Sequence, residues 1–560
     1  MIVLSKMKMT IIKSTFCIIF PIYCYADNLS IYDSYDKLFG LENIHIHPTT
    51  HITNLIRNDI SSFSEGEKEN LEKLGLFEKN GILKATAPDF LDMTYETNHF
   101  RIHYTTNESS SHKVDNLDYV IQMGEVFEQV WMFFMDTLEF NSPIFDDGEE
   151  PFLYNVYIEN LPSFYFGITY TSNNSSNLNQ CSSFIKMRNN YDGSQFSMHT
   201  ELENIKVTAV HEFFHSIQFS YNCFERLWIM EASAVWSEDQ LYNGVNDHYR
   251  YLNSWFQNIH LPIDHESNHM YGSFIFFQYL DEHFGDTETI KKIWDYSKEY
   301  ASSSKDISFQ SIDLALEPNQ INFEDAYHKM AISNKILSNL AQPPYSYVEA
   351  NGYKTVTDGP ANKQDIIFEI GNNKQINNQL LHKYSSYYYS LSTNSPVKIY
   401  FIKNSGNFSF SIIIKHLGKS EWLIKSDPII NIDPNIGIEW ISIVVSALET
   451  DTNNWDFTLK LEDGLSEDFI LSLPFPNPSY GNIVNFNLEI YESQNISFLI
   501  NDIIGNSIWE ISREFIGPGI VPFSWYGMNT NGNKVSNGIY FLTAKGKSSK
   551  QTQKLILLKN

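Results

Sequence analysis

The chain has 560 residues, 42% of them hydrophobic, 15% aromatic and only 19% charged. That is more than one core organises and too little charge for a disordered polymer, so several packed domains are expected. Lys plus Arg number 39 against 67 Asp plus Glu, a formal net charge of −28; a molecule of that sign repels a phosphate backbone, which excludes nucleic acid as a natural partner.

Residues 1–26 read as a signal peptide. Lys6, Lys8 and Lys13 give a positive start, Ser14 to Tyr25 an apolar run too short for a stable span, and Ala26 a small residue at the cut. A secreted or cell-surface protein is expected, with no integral membrane segment once the signal is removed. Cys17 and Cys24 leave with it; Cys181 and Cys223 remain, forming either one disulfide or two buried thiols. No cysteine lies in 27–180, so no N-terminal thiolate can mask a metal.

Residues 27–95 are a lead-in or propeptide, with a helical pattern at Glu67–Phe77 and a breaker at Ala87–Pro88. From 96 the periodicity predicts a strand at His99–Tyr104, a helix over Val114–Leu138 and strands at Phe152–Ile158 and Ser183–Met187. Thr200 and Glu203 form a capping box that opens a helix with Val207, Val210, Phe214 and Ile217 as its buried stripe. Further helices are expected at Leu227–Leu241, Tyr271–Phe284, Thr287–Tyr300 and Phe323–Asn339. After Pro343–Pro344 short alternating runs such as Tyr387–Leu391, Val397–Ile402, Phe408–Ile414 and Trp440–Val445 predict a β-sandwich over 346–465. The same style with tighter turns continues over 466–560. The fold class is therefore multidomain: an α+β domain, 96–345, followed by two all-β domains, 346–465 and 466–560.

Residues 211–215 read His-Glu-Phe-Phe-His. On a helix, i and i+4 share a face, so His211 and His215 can offer ring nitrogens to one zinc while Glu212 reaches a nearby water as general base. Hydrolysis of an amide is the reaction this spacing suits. The oxyanion then needs a donor, and Asn268–Gly272, ahead of a predicted helix, offers Tyr271 or His269. The acidic loop Asp146–Glu150 has the chemistry of a Ca2+ site, although such loops are usually just solvated.

The run Trp228-Ile-Met-Glu231-Ala-Ser-Ala234-Val-Trp236-Ser-Glu238 resembles the third-ligand helix of gluzincin metallopeptidases. The resemblance implies a zincin-like fold and Glu231 as third ligand to a single catalytic zinc, with a fourth position open. Glu238, two turns along the same face, would orient a ligand histidine or be an ordinary exposed acid. In gluzincin aminopeptidases a Tyr slightly ahead of a Gly serves the oxyanion; here Tyr271 immediately precedes Gly272. Their glycine-rich exopeptidase segment is not evident before His211, which favours cleavage within protein or peptide chains. Across 95–345 the chain resembles a family of secreted bacterial metalloproteases, through His99–Tyr104, Val210–Phe219, Trp228–Glu238 and Tyr271–Gly285. Residues 466–560 resemble the immunoglobulin-like sorting domain of the type IX secretion system, through Leu473–Pro478, Asn501–Gly505, Trp525, Gly532, Gly538–Tyr540 and Gln553–Lys559, which implies a secretion-machinery partner. The competing expectation is a catalytically inactive surface binding or adhesion protein built on a peptidase-like domain.

Overall fold

In the computed structural model of the protein, the described residues are 30–39 and 47–558, apart from 147–149, 163, 172–178, 302–305, 435–436, 449–454, 465–467, 481–482, 492 and 518. The signal segment therefore lies outside the described residues, as does most of the acidic loop 146–150. Among the described residues no helix is long and apolar enough to cross a membrane.

The lead-in folds into a small lobe. Helices α1 (Ile31–Phe39), α2 (Pro48–Arg57) and α3 (Glu65–Glu72) are followed by a hairpin of β1 (Leu76–Lys79) and β2 (Ile82–Ala85). Pro48 opens α2, where its missing N–H is no loss, and Ser64 with Glu67 makes a capping box on α3. The helical pattern at Glu67–Phe77 ends early because Gly75 turns at φ +83 and Leu76 enters β1. Asn80 and Gly81, both at positive φ, make the tight turn that matches hairpin twist. Leu38, Ile52, Leu55, Leu71, Leu76 and Leu83 form a separate core that closes on Tyr157, Ile168, Tyr170 and Phe184 of the next domain.

That domain is built on a six-stranded sheet: β3 (Met93–Glu96), β4 (Phe100–Tyr104), β5 (Ile144–Phe145), β6 (Tyr154–Glu159), β7 (Gly167–Thr171) and β8 (Ser182–Arg188). The order is β3-β4-β6-β8-β5 with β7 also paired to β8; β4, β6 and β8 run parallel, and β3 and β7 antiparallel to their neighbours. Helix α4 (Leu117–Trp131), capped by Asn116, makes the β4-to-β6 crossover and continues as a π-helical turn at Met132–Thr137. The strand β7 was not apparent in the sequence.

Helix α5 (Glu201–Asn222) starts at the predicted capping box, with Thr200 accepting from Glu203 N. It is buried along nearly its whole length, between the sheet and α6 (Leu227–Tyr242). The disulfide Cys181–Cys223 ties the start of β8 to the end of α5. Then come α7 (Tyr249–Gln257), α8 (His269–Gly272), α9 (Phe274–His283), α10 (Asp286–Glu299), α11 (Ser308–Leu316), α12 (Phe323–Ile336) and α13 (Ala350–Tyr353). The single helix expected at Tyr271–Phe284 is broken at Ser273, whose hydroxyl donates to Ile263 O at 2.9 Å. Gly272 is required there: a Cβ would stand 2.5 Å from Trp255 Cβ.

Strands resume at Gln364, because Tyr347, Ala350 and Tyr353 still belong to the helical core. A four-stranded and a five-stranded sheet enclose Ile399, Phe410, Val445 and Phe457. The outer face of the larger sheet joins the helical domain through Tyr384, Tyr388, Ile413 and Val444. His328 of α12 bridges Ser446 Oγ at 2.9 Å and Ser411 Oγ at 2.8 Å across that junction. The last unit pairs a three-stranded with a four-stranded antiparallel sheet over Phe486, Phe498, Trp525 and Leu542.

Candidate metal centre

On α5, His211 and His215 face one way, one turn apart, and α6 brings Glu231 against them. His211 Nε2 and His215 Nε2 are 3.1 Å apart, and Glu231 Oε2 stands 3.2 Å from the first and 3.7 Å from the second. All three side chains, with Glu212, are 0% exposed.

The rings' other nitrogens show which electron pairs converge. The Gln218 amide nitrogen donates to Met230 O at 2.8 Å, so its Oε1, 2.8 Å from His215 Nδ1, must accept. His215 therefore carries its proton on Nδ1 and a lone pair on Nε2. His211 Nδ1 lies 2.7 Å from Glu238 Oε1, which fixes the same orientation. Glu238 is 2% exposed and meets the His211 ring, so it is not an exposed acid.

Two imidazole lone pairs and a carboxylate oxygen without a hydrogen-bond partner thus meet where, among the described residues, no other side chain donates a proton between them. Burial of three such donors is costly unless a cation joins them. Donors bound to one tetrahedral zinc are spaced by about 3.4 Å, given bonds of 2.0–2.2 Å, and the three observed separations bracket that value. The residues fit the ion.

Glu212 stands beside this cluster with its two oxygens in different roles. Oε2 accepts from Thr49 Oγ1 at 2.7 Å and from Thr169 Oγ1 at 2.8 Å, while Oε1 has no hydrogen-bond partner among the described residues and stands 3.9 Å from His47 Nδ1. Gly167 of β7 makes the close packing possible: a Cβ there would lie 2.7 Å from Thr208 Cγ2 and 2.9 Å from Glu212 Cγ.

Helix α2 covers the centre. Thr50 Oγ1 donates to Glu231 Oε1 at 2.7 Å, and the His47 ring stacks on His211 with centroids 3.8 Å apart. His47 Nε2 lies 3.0 Å from Tyr251 OH, and Tyr271 OH donates to His47 O at 3.2 Å. Buried His51, whose ring nitrogens have no hydrogen-bond partner, is pushed down to about 4 by burial, with Glu231 opposing. Of the two oxyanion candidates, Tyr271 turns its hydroxyl toward the centre. His269 does not; its ring stacks on Trp255 at 5.6 Å, because α8 is one short turn and the two residues leave it on different sides.

Sequence reasoning missed His47, Thr49, Thr50, Thr169, Gln218 and Tyr251. A signal existed for α2, in the His47-Pro48 start and the i, i+4 pair His47 and His51; none exists for Thr169, which acts through sheet packing.

No protein-family model matches this sequence, and no curated protein matches it. Among solved structures, the chain is similar over 18% of its length to PorZ, a type-IX secretion system surface component of Porphyromonas gingivalis, at 15% identity and TM-score 0.13, covering 14% of that protein. It is similar over 34% to dimeric latent PorU of the same organism, at 13% identity and TM-score 0.16, covering 20%. It is similar over 31% to a β-glucuronidase of Bifidobacterium dentium, at 6% identity and TM-score 0.15, covering 39%. The chain thus spans well under half of each, and likenesses of this size carry no argument about what it does.

Proposed function

We propose that this protein is an exported zinc-dependent endopeptidase. The observation that carries the reading is the convergence of His211 Nε2, His215 Nε2 and Glu231 Oε2 with Glu212 beside them. When bound there, zinc would supply Lewis acidity toward a water and a substrate carbonyl. Glu212 Oε1 takes a proton from the attacking water as the new C–O bond forms, and returns it to the amide nitrogen as the C–N bond breaks. Thr169 holds the other carboxylate oxygen, so the proton travels on the free one. The Tyr271 hydroxyl, which already donates to a backbone carbonyl, suits the carbonyl oxygen as it gains charge. The last β-unit, with its Pro-rich entry and basic final strand, is read as a sorting domain for type IX export, a partner for secretion machinery rather than for substrate.

The test is digestion of a peptide library by the zinc-loaded protein, intact and after proteolytic cutting within 86–92, beside Glu212→Gln treated alike. Internal cleavage by the parent, with none by Glu212→Gln at equal zinc content, is the expected result. Equal product from both would overturn the reading, and a parent that purifies without zinc would favour a binding protein.

A further inference from the structure

Asp239, His248 and Glu349 form a second cluster of metal-capable side chains, apart from the His211 centre. Asp239 lies on α6, His248 caps α7 and Glu349 caps α13. His248 Nε2 stands 3.9 Å from Asp239 Oδ1 and 3.6 Å from Glu349 Oε2. These gaps are long for hydrogen bonds and close to the spacing of donors that share an ion, as in the first centre. His248 is 1% exposed, and neither its Nε2 nor Asp239 Oδ1 has a hydrogen-bond partner. The ring is held edge-on by Tyr249 and Phe274, and Glu349 is steadied by Tyr249 OH at 3.2 Å and Asn243 Nδ2 at 3.3 Å. Among the described residues no Lys or Arg pairs with either carboxylate; a protonated His248 would set one charge against two, whereas a divalent cation balances both where burial otherwise penalises them.

We propose that Asp239, His248 and Glu349 hold a second divalent ion, with zinc the best match to one imidazole and two carboxylates. Its role is structural. It ties α6, the helix that carries Glu231 and Glu238, to the start of α7 and to the segment leading into the sandwich. The test is zinc stoichiometry on the full chain, with zinc alone as probe. His211→Ala/His215→Ala, which dismantles the first centre, is expected to retain one zinc per chain, and adding His248→Asn to remove it. A folded His211→Ala/His215→Ala protein without zinc overturns the proposal. If that variant does not fold, the parent is compared with Asp239→Asn/His248→Asn: two ions against one are expected, and equal content in both overturns it. A parent with a single zinc that survives His211→Ala/His215→Ala would sink the first centre and leave this one standing.

A separate observation, the seating of α2, carries a second inference, which rests on the peptidase reading. Thr49 occupies the general base, Thr50 the acidic ligand, and the His47 carbonyl takes the hydroxyl offered to an oxyanion. The covering lobe packs Leu38, Ile52, Leu55, Leu71 and Leu83 against Tyr157, Ile168, Tyr170 and Phe184 of the catalytic domain, and joins it in sequence through 86–92, where Asp89, Phe90 and Asp92 are exposed. We infer that residues 30–91 are an intramolecular inhibitor, released by a cut in that connector. The experiment inserts a site-specific protease sequence at 88–92 and follows zinc extraction by a chelator and casein hydrolysis. It compares intact protein, nicked protein and nicked Leu55→Asp, whose lobe core is weakened. Extraction at least tenfold faster, with hydrolysis appearing, is expected once the lobe departs. Unchanged extraction and hydrolysis in all three, or unfolding of the body when the lobe leaves, overturns the inference. Faster extraction without hydrolysis upholds the cover and refutes the peptidase.

Discussion

Glu238→Ala is the sharpest probe of how α6 serves the centre. The carboxylate is the acceptor 2.7 Å from His211 Nδ1, in a site where the ring is fully buried. Its removal leaves a buried N–H unpaired, which costs about 1–3 kcal/mol, and frees the ring to turn its lone pair away from Glu231. Loss of such an outer partner lowers metal affinity by about 10–100-fold, or about 1.4–2.7 kcal/mol. Glu238→Gln keeps an acceptor of the same reach, so its loss is expected at the low end of that range. The assay is equilibrium competition for zinc against a chromogenic chelator near neutral pH, with Glu231→Ala as the variant that loses a ligand outright. Glu238→Ala protein that holds zinc within twofold of the parent would refute the argument that this carboxylate sets the orientation of His211.

Three other outcomes follow from the geometry. Gly167→Ala drives a methyl against Glu212 Cγ and Thr208 Cγ2; peptide hydrolysis is expected to fall at least tenfold with zinc content unchanged, and full activity would show that Glu212 is not held from that side. His328, pushed down to about 3 by burial and then by Lys329, stays neutral when folded. The unfolded chain therefore takes up an extra proton between pH 6.5 and 3, and stability, complete above 6.5, falls as the pH drops. At pH 5 the loss is about 2 kcal/mol, read as the difference in urea-unfolding free energy between pH 7 and 5; His328→Gln is expected to lessen that difference by a like amount, and an identical pH dependence would refute it. Arg226, at the start of α6, pairs with Asp264 at 2.7 Å, Glu266 at 3.1 Å and Asp306 at 3.2 Å. Arg226→Met leaves Asp264, which is 0% exposed, with the longer Lys383 contact at 3.8 Å as its remaining ion pair among the described residues, and is expected to destabilise by about 3 kcal/mol, measured by thermal or denaturant unfolding.

What the sequence determined by itself was local. His211, Glu212 and His215 were legible because the rise and turn of a helix dictate that i and i+4 share a face, whatever packs around them. The capping box at Thr200 and Glu203 was legible for the same reason, and so were most strands of the sandwich, whose alternation is intrinsic to the pleat. Glu231 and Glu238 needed one more fact, the angle at which α6 meets α5, and a resemblance anticipated it for Glu231 alone. Tertiary structure decided the rest. That Tyr271 rather than His269 faces the centre follows from the break at Ser273 and the contact of Gly272 with Trp255. That Thr49 and Thr50 reach Glu212 and Glu231 joins side chains more than 160 positions apart, through a helix whose own pattern names no partner. Periodicity reports which face of an element is buried; which neighbour buries it depends on the free energy of the whole packed chain, and no stretch of sequence encodes that alone.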